Sequence, residues 1–143
     1  MSNRTSNTSK LEQGRANYAF ECAENANKEL GQKKMEYKAY AKKLPMLIKT
    51  NGIGAAMAFA FSKSGKSGVP DINNPWGLLY VQIENWLNKE DGLLLFKFEK
   101  NRLAKGLTEV DSGTYKAVTI EVLALLSWIR RFAEGLIDGN SSN

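Results

Sequence analysis

The chain has 143 residues, of which 43% are hydrophobic and 24% are charged, and it carries a formal net charge of +5 at pH 7. This size and composition predict one globular domain with a core of its own, and the positive charge favours an anionic partner, nucleic acid ahead of a membrane surface. A basic protein with a merely solvated surface is the plainer alternative. With no histidine and a single cysteine, the chain excludes Ser-His-Asp and Cys-His nucleophile systems and Cys/His or four-cysteine zinc sites.

The lone Cys22 cannot form an internal disulfide, which fits a reducing cytoplasm, so we predict a cytoplasmic location. No apolar run approaches the length of a membrane span. The polar segment 1–9 lacks the hydrophobic stretch of a secretory signal, and we predict that it is a disordered tail. A single helical domain is then expected over residues 10–138, followed by a disordered tail at 139–143.

Apolar residues recur at helical spacing along the chain, and this predicts an all-α bundle of about six helices. Gly31, Asn51-Gly52, Gly106 and Gly139 mark expected helix ends. The predicted helices run from about Lys10 to Leu30, Lys33 to Thr50, Ile53 to Ser62, Asn74 to Asn88, Leu93 to Lys105 and Asp111 to Ile137.

The second predicted helix carries two patterns side by side. An apolar face contains Tyr37, Tyr40, Ala41, Leu44, Leu47 and Ile48, and a basic stripe beside it contains Lys34, Lys38 and Lys42. Like charges at this spacing repel one another, so the stripe suggests a polyanion as its counter-charge. Pro45 lacks an N–H and is expected to kink the helix or split it near Leu44.

The loop predicted over residues 62–74 contains Gly65-Lys66-Ser67, which partly matches a phosphate-binding P-loop. The first glycine of that motif is replaced by Ala60, and a helix rather than a strand precedes the loop. We therefore do not expect nucleotide binding there. After the loop, Asn74 and Pro75 are typical of a helix start.

The last helix is predicted to lie in the middle of the bundle, with Asp111 as its cap. Its apolar seam repeats at alternating spacings of three and four residues through Tyr115, Val118, Val122, Leu125, Ile129, Phe132 and Leu136. The candidate catalytic carboxylates are scattered: Glu121 and Glu134 lie about 20 Å apart along this one helix. We expect these acids, with Glu84, Glu109 and Asp111, to be solvated, and we predict no catalytic, metal or cofactor site.

Three segments resemble the small helical subunit of type III-B CRISPR effectors, the Cmr complex. Residues 42–59, Lys-Lys-Leu-Pro-Met-Leu-Ile-Lys-Thr-Asn-Gly-Ile-Gly-Ala-Ala-Met-Ala-Phe, are similar to the family's Lys-Leu-Pro…Asn-Gly-Leu…Ala-Phe signature. Residues 115–135 are similar to its closing helix, and Arg15 with the alanines after it also fits. The chain departs from the family at Ala55, where a polar residue is common, and in the loop 62–74, which has no family meaning.

The resemblance implies a non-catalytic subunit that stacks with copies of itself as an inner filament beside other Cmr subunits. It also implies contact with the backbones of guide RNA and target RNA, since base pairing reads the sequence. The residues expected on this RNA face are Arg15, Lys38, Lys42, Lys43, Lys49, Lys116, Arg130 and Arg131. Two other interpretations stay open: a stand-alone helical nucleic-acid-binding protein, and a protein–protein adaptor whose basic face meets an acidic partner.

Overall fold

The computed structural model describes residues 2–89, 94 and 96–138, with the side chains from residue 8 onward. Its described part is a helical bundle with one small hairpin, which confirms the all-α prediction. The elements are α1 (Ser2–Glu29), a 3₁₀ turn (Gly31–Lys33), α2 (Lys34–Asn51), α3 (Ile53–Lys63), β1 (Gly65–Lys66), β2 (Val69–Pro70), α4 (Pro75–Leu87), α5 (Leu103–Gly106) and α6 (Ser112–Leu136).

The helix α6 lies in the middle of the bundle, as its apolar seam predicts. It packs most extensively against α1, then against α2, and it also contacts α4 and α3. Its fully buried residues include Val118, Val122, Leu125, Ile129 and Ala133. The first and last of the described helices, α1 and α6, are therefore direct neighbours.

The helix α2 buries the predicted apolar residues Tyr37, Ala41, Leu44 and Ile48. We expected Pro45 either to kink this helix or to split it near Leu44. The helix continues through Pro45, so it is not split. The turn into α3 is made at Gly52, whose φ of 90° and ψ of 157° belong to a region that is essentially reserved for glycine. The predicted tight junction between α2 and α3 is thus present.

The start of α1 differs from the prediction. The helix begins at Ser2 rather than at about Lys10, so helical backbone covers most of the segment 1–9 that we predicted to be disordered. The predicted C-terminal tail, 139–143, lies outside the described residues. The single domain at 10–138 stays a prediction.

The predicted fifth helix is wrong over most of its length. Leu94 and residues 96–99 are not helical, residues 90–93 and 95 lie outside the description, and α5 covers only Leu103–Gly106. The physical reason lies at the C-terminal end of α4, where Asn88 is the cap residue. The side chain of Asn88 accepts from the N–H of Phe98 at 2.7 Å and donates to its carbonyl at 2.9 Å, as a neighbouring strand would.

A side chain within α4 fixes the end of this segment. The buried carboxylate of Glu84 accepts the N–H groups of Asn101 and Leu103 at 2.8 and 2.9 Å. Because these backbone groups are satisfied by side chains, residues 96–102 need no helix of their own.

The predicted loop 62–74 contains the hairpin β1–β2, in which Gly65 pairs with Pro70 and Lys66 with Val69. The two residues between the strands, Ser67 and Gly68, have φ values of 61° and 78°, as a type I′ turn requires. Lys66 and Ser67 thus lie at a hairpin turn, whereas a P-loop would place them at the start of a helix.

Candidate nucleic-acid interface

The helices α2 and α6 lie antiparallel, and a hydrogen bond links them, or the residues next to them, near each end. At one end, the ammonium of Lys38 donates to the carbonyl of Ile137, just after α6, at 3.0 Å. At the other end, the hydroxyl of Tyr115 accepts the N–H of Gly54, at the start of α3, at 3.0 Å. The spacing between α2 and α6 is therefore set from both sides.

A groove of about 350 Å³ lies between these two hydrogen bonds, and we call it the α2–α6 groove. Three of the predicted RNA-facing residues, Lys49, Arg130 and Arg131, lie together on its walls. Planar guanidinium groups beside a lysine are the side chains that bind phosphate oxygens best. The remaining lining residues are Pro45, Leu123, Ser127 and Glu134.

Glu134 brings a negative charge to this lining. Its carboxylate lies 3.7 Å from Nε of Arg130, and both side chains are about half exposed. An exposed pair of this kind is worth at most about 1 kcal/mol, so a phosphate can take its place at little cost.

Two more of the predicted residues extend the same basic surface along the helices. Lys42 is exposed and precedes Lys49 by two turns of α2, and so lies on the same side. Lys116 is exposed and precedes Leu123 by two turns of α6. The α2–α6 groove with Lys42 and Lys116 is a strip that an extended polyanion can follow.

Arg15 is placed differently from the prediction. Its Nε and Nη2 atoms donate to the two carboxylate oxygens of Glu121 at 2.8 and 3.0 Å, and its side chain is only 14% exposed. Glu121 also accepts from the indole Nε1 of Trp86 at 2.8 Å. The expectation that Arg15 faces outward is wrong, because the packing of α1 on α6 sets it against this acid.

Lys38 and Lys43 are also separated from the groove. Lys38 is half buried and its ammonium is bound to the carbonyl of Ile137. Lys43 is exposed on the other flank of α2, with its Nζ 5.7 Å from the centre of the Phe59 ring. Although Lys42 and Lys43 are adjacent in sequence, they therefore lie on different surfaces of the protein.

The carboxylates have mostly structural partners, and the expectation of solvated acids is wrong for Glu84 and Glu121, which are buried. Asp111 caps α6 by accepting the N–H of Thr114 at 2.7 Å, and hydrogen bonding to Thr114 lowers the pKa of this carboxyl. Exposed Glu109 pairs with Lys105. Within the described ranges, no cluster of three or more potential metal ligands occurs.

The reactivity of Cys22 and the ability of the helices to cross a membrane can also be judged from the structure. Burial raises the pKa of the Cys22 thiol to about 12, which leaves it unreactive at neutral pH. Among the helices that the structure describes, none is both long enough and apolar enough to cross a bilayer.

Sequence reasoning missed the contribution of Leu123 and Ser127 to the groove. Both lie on the side of α6 opposite its apolar seam, in register with Arg130 and Glu134. Helical periodicity could have identified this side, but only the packing shows that it faces α2.

Three comparisons with known proteins agree with one another. A family model described as CRISPR-associated protein (Cas_Cmr5) matches residues 11–136. A Thermus thermophilus protein described as CRISPR system Cmr subunit Cmr5 is 30% identical over 123 residues, which are 86% of this chain and 92% of that protein. The X-ray crystal structure of a CRISPR-associated Cmr5 family protein from the same organism matches with a TM-score of 0.67 at 29% identity, covering 90% of this chain and 98% of the other.

Proposed function

Since the chain belongs to the Cmr5 family of CRISPR-associated proteins, we propose that it is a small, non-catalytic subunit of a type III-B Cmr effector complex. Its partners are other Cmr subunits, copies of itself in an inner filament, and the guide and target RNA. The complex acts in the cytoplasm. The family match extends over α2 and α6, the two helices that form the basic groove.

The observation that carries the RNA part of this proposal is the α2–α6 groove. It gathers Lys49, Arg130 and Arg131 from two helices whose spacing is fixed at both ends. Such side chains contact phosphates and sugars without reading bases, which suits a complex whose target sequence varies with its guide. We therefore assign the RNA face to this groove with Lys42 and Lys116, and we assign Arg15 to the contact between α1 and α6.

The proposal of a non-catalytic role rests on the chemistry of the side chains. The chain has no histidine to act as a general base at neutral pH. Its buried carboxylates, Glu84 and Glu121, already accept hydrogen bonds from backbone or side-chain donors. The subunit then contributes shape and positive charge, and the chemistry belongs to other subunits.

The RNA face is tested with target-RNA binding by the reconstituted complex across a salt series. The variant combines Lys42→Ala, Lys49→Ala and Arg131→Ala, and leaves the Arg130–Glu134 pair intact. For every phosphate that the variant no longer binds, the slope of log affinity against log salt should fall by roughly 0.7 to 0.9. The loss of affinity should be similar for unrelated guide–target pairs.

The matched control combines Lys10→Ala, Lys28→Ala and Lys100→Ala, which removes the same charge from exposed positions away from the groove. Only the groove variant should change the salt slope. Equal slopes for the groove variant and the wild type would refute the RNA face. Failure of the tagged chain to co-purify with Cmr subunits and a guide RNA from its host would refute membership of the complex.

A further inference from the structure

A second groove, of about 510 Å³, lies on the flank of α2 that faces away from the α2–α6 groove. Aromatic rings form its floor. The rings of Tyr40 and Trp76 stack with centroids 4.3 Å apart and planes 10° from parallel. The ring of Phe59 meets Trp76 edge-on at 5.5 Å.

Three lysines, Lys33, Lys43 and Lys63, surround this floor, and we call the site the aromatic–lysine groove. The ammonium groups of Lys43 and Lys63 each lie 5.7 Å from the centre of the Phe59 ring, which holds them in place by cation–π attraction. Within the described part of the chain, none of the three lysines makes an ion pair. Three lysines against the single acid Glu36 leave the described lining of the groove with a net positive charge.

Two of the three rings in the floor have no face free to stack on a nucleic-acid base. A base needs a free ring face, but Trp76 is only 6% exposed and Tyr40 covers it, while two ammonium groups lie over Phe59. Glu36 also lines the groove, and its carboxylate can accept N–H groups. A peptide backbone supplies such donors, whereas a phosphate group does not.

We propose that the aromatic–lysine groove binds an acidic peptide segment of another protein. Carboxylates of the segment pair with Lys43 and Lys63, and an apolar side chain packs against the exposed parts of Tyr40 and Phe59. A volume of 510 Å³ lies within the range of about 300 to 1,000 Å³ that ligand pockets occupy. This proposal concerns a different surface from the RNA face and does not depend on it.

The test uses the purified full chain and an array of fluorescein-labelled peptides of the form Glu-Asp-X-Glu-Asp, with X being Phe, Leu or Tyr. Binding is followed by anisotropy. At least one peptide should bind, and Lys43→Glu combined with Lys63→Glu should weaken it by about tenfold or more, because close charge pairs carry much of such an affinity. The control variant, Lys42→Glu with Lys49→Glu, should bind the peptide as the wild type does.

Two-dimensional NMR of the indole N–H groups locates the peptide. Binding should shift the Trp76 signal, assigned with Trp76→Phe, and leave that of Trp86, which is bonded to Glu121, in place. An array without a binder would overturn the proposal, and so would binding that ignores the Lys43/Lys63 substitutions. Oligouridylate serves as the nucleic-acid probe. If it shifts Trp76 and depends on Lys43 and Lys63 while the peptides do not, the site is an RNA site and the proposal fails.

Discussion

The buried ion pair between Arg15 and Glu121 decides how α1 is attached to α6. Arg15→Ala would leave the carboxylate of Glu121 buried with only the Trp86 indole as its partner, and we expect a loss of about 3 to 5 kcal/mol in the free energy of unfolding. Arg15→Met with Glu121→Gln removes both charges and keeps an oxygen for Trp86, so it should lose much less. Urea unfolding at neutral pH measures both variants. If Arg15→Ala changes stability by less than about 0.5 kcal/mol, Arg15 is a surface residue after all.

The thiol of Cys22 should be protected in the native protein. At pH 8, raising its pKa to about 12 lowers the thiolate fraction on the order of a thousandfold below that of a free cysteine. A disulfide reagent such as dithionitrobenzoate should react correspondingly more slowly with the native than with the guanidinium-unfolded chain. As the only cysteine in the sequence, Cys22 gives the whole signal. A native rate within tenfold of the unfolded rate would contradict the burial of this thiol.

At the scale of elements, the junction of α2 and α3 depends on a glycine position where any side chain would strain the backbone. Gly52 has a φ of 90°, and a Cβ there would lie 3.0 Å from the hydroxyl of Tyr115. We expect Gly52→Asn to cost roughly 1 to 3 kcal/mol from backbone strain, with crowding in addition. Gly31→Asn is the matched control, since Gly31 has a φ of 60°, which asparagine tolerates, and an added Cβ meets nothing within 4 Å. Equal losses in urea unfolding would show that the junction is not strained.

The long helices with a periodic apolar face could be predicted from the sequence, because burial of that face stabilises a helix more than local residue preferences do. This holds for α2 and α6, in which most residues of the predicted faces are buried. The prediction failed for residues 96–102 because their conformation depends on Glu84 in α4 and on Asn88 just after it, and periodicity does not detect such side-chain contacts. A short apolar segment whose backbone bonds go to side chains carries no periodic signal of its own.

In the candidate site, too, helix faces could be predicted from the sequence, whereas contacts between distant residues could not. The basic residues of α2 and α6 could be placed on helix faces from the sequence alone, but which helices adjoin is a property of the packed bundle. Arg15 was misjudged because its partner, Glu121, lies 106 residues away. Lys43 was grouped with Lys42 although one residue turns a helix by about 100°, enough to reach another surface.

For the molecule as a whole, stability should depend little on pH across the neutral range. The chain has no histidine, so no side chain of ordinary pKa titrates between about pH 5 and 8. The lowered pKa of Asp111 contributes stability above its unfolded value of about 3.9, and this is lost only as the pH falls through the folded value. The Tm should therefore form a plateau over that range.

The Tm should begin to fall only above about pH 9, because the buried groups with raised pKa values, Cys22 and Tyr80, keep their protons below that pH. Burial raises the pKa values of Cys22 and Tyr80 to about 12, so these groups stabilise the fold below their unfolded pKa values and cease to do so as the pH rises toward 12. Differential scanning fluorimetry from about pH 5 to 11 measures the profile, and Cys22→Ala should delay the onset of the decline toward about pH 10. A Tm maximum of several degrees inside the plateau would contradict this account.

The contact between α1 and α6 has a consequence for how the protein is made. During translation, α1 emerges well before α6, the helix that covers it and places Glu121 opposite Arg15. The ribosome must therefore release nearly the whole chain before the core can close, and the nascent amino-terminal helices remain open to proteases and chaperones until then. Stalled nascent chains that end before residue 121 should be cleaved rapidly by a protease, whereas chains extended by a linker beyond residue 138 should resist it. Equal resistance would show that α1 to α5 fold without their last partner.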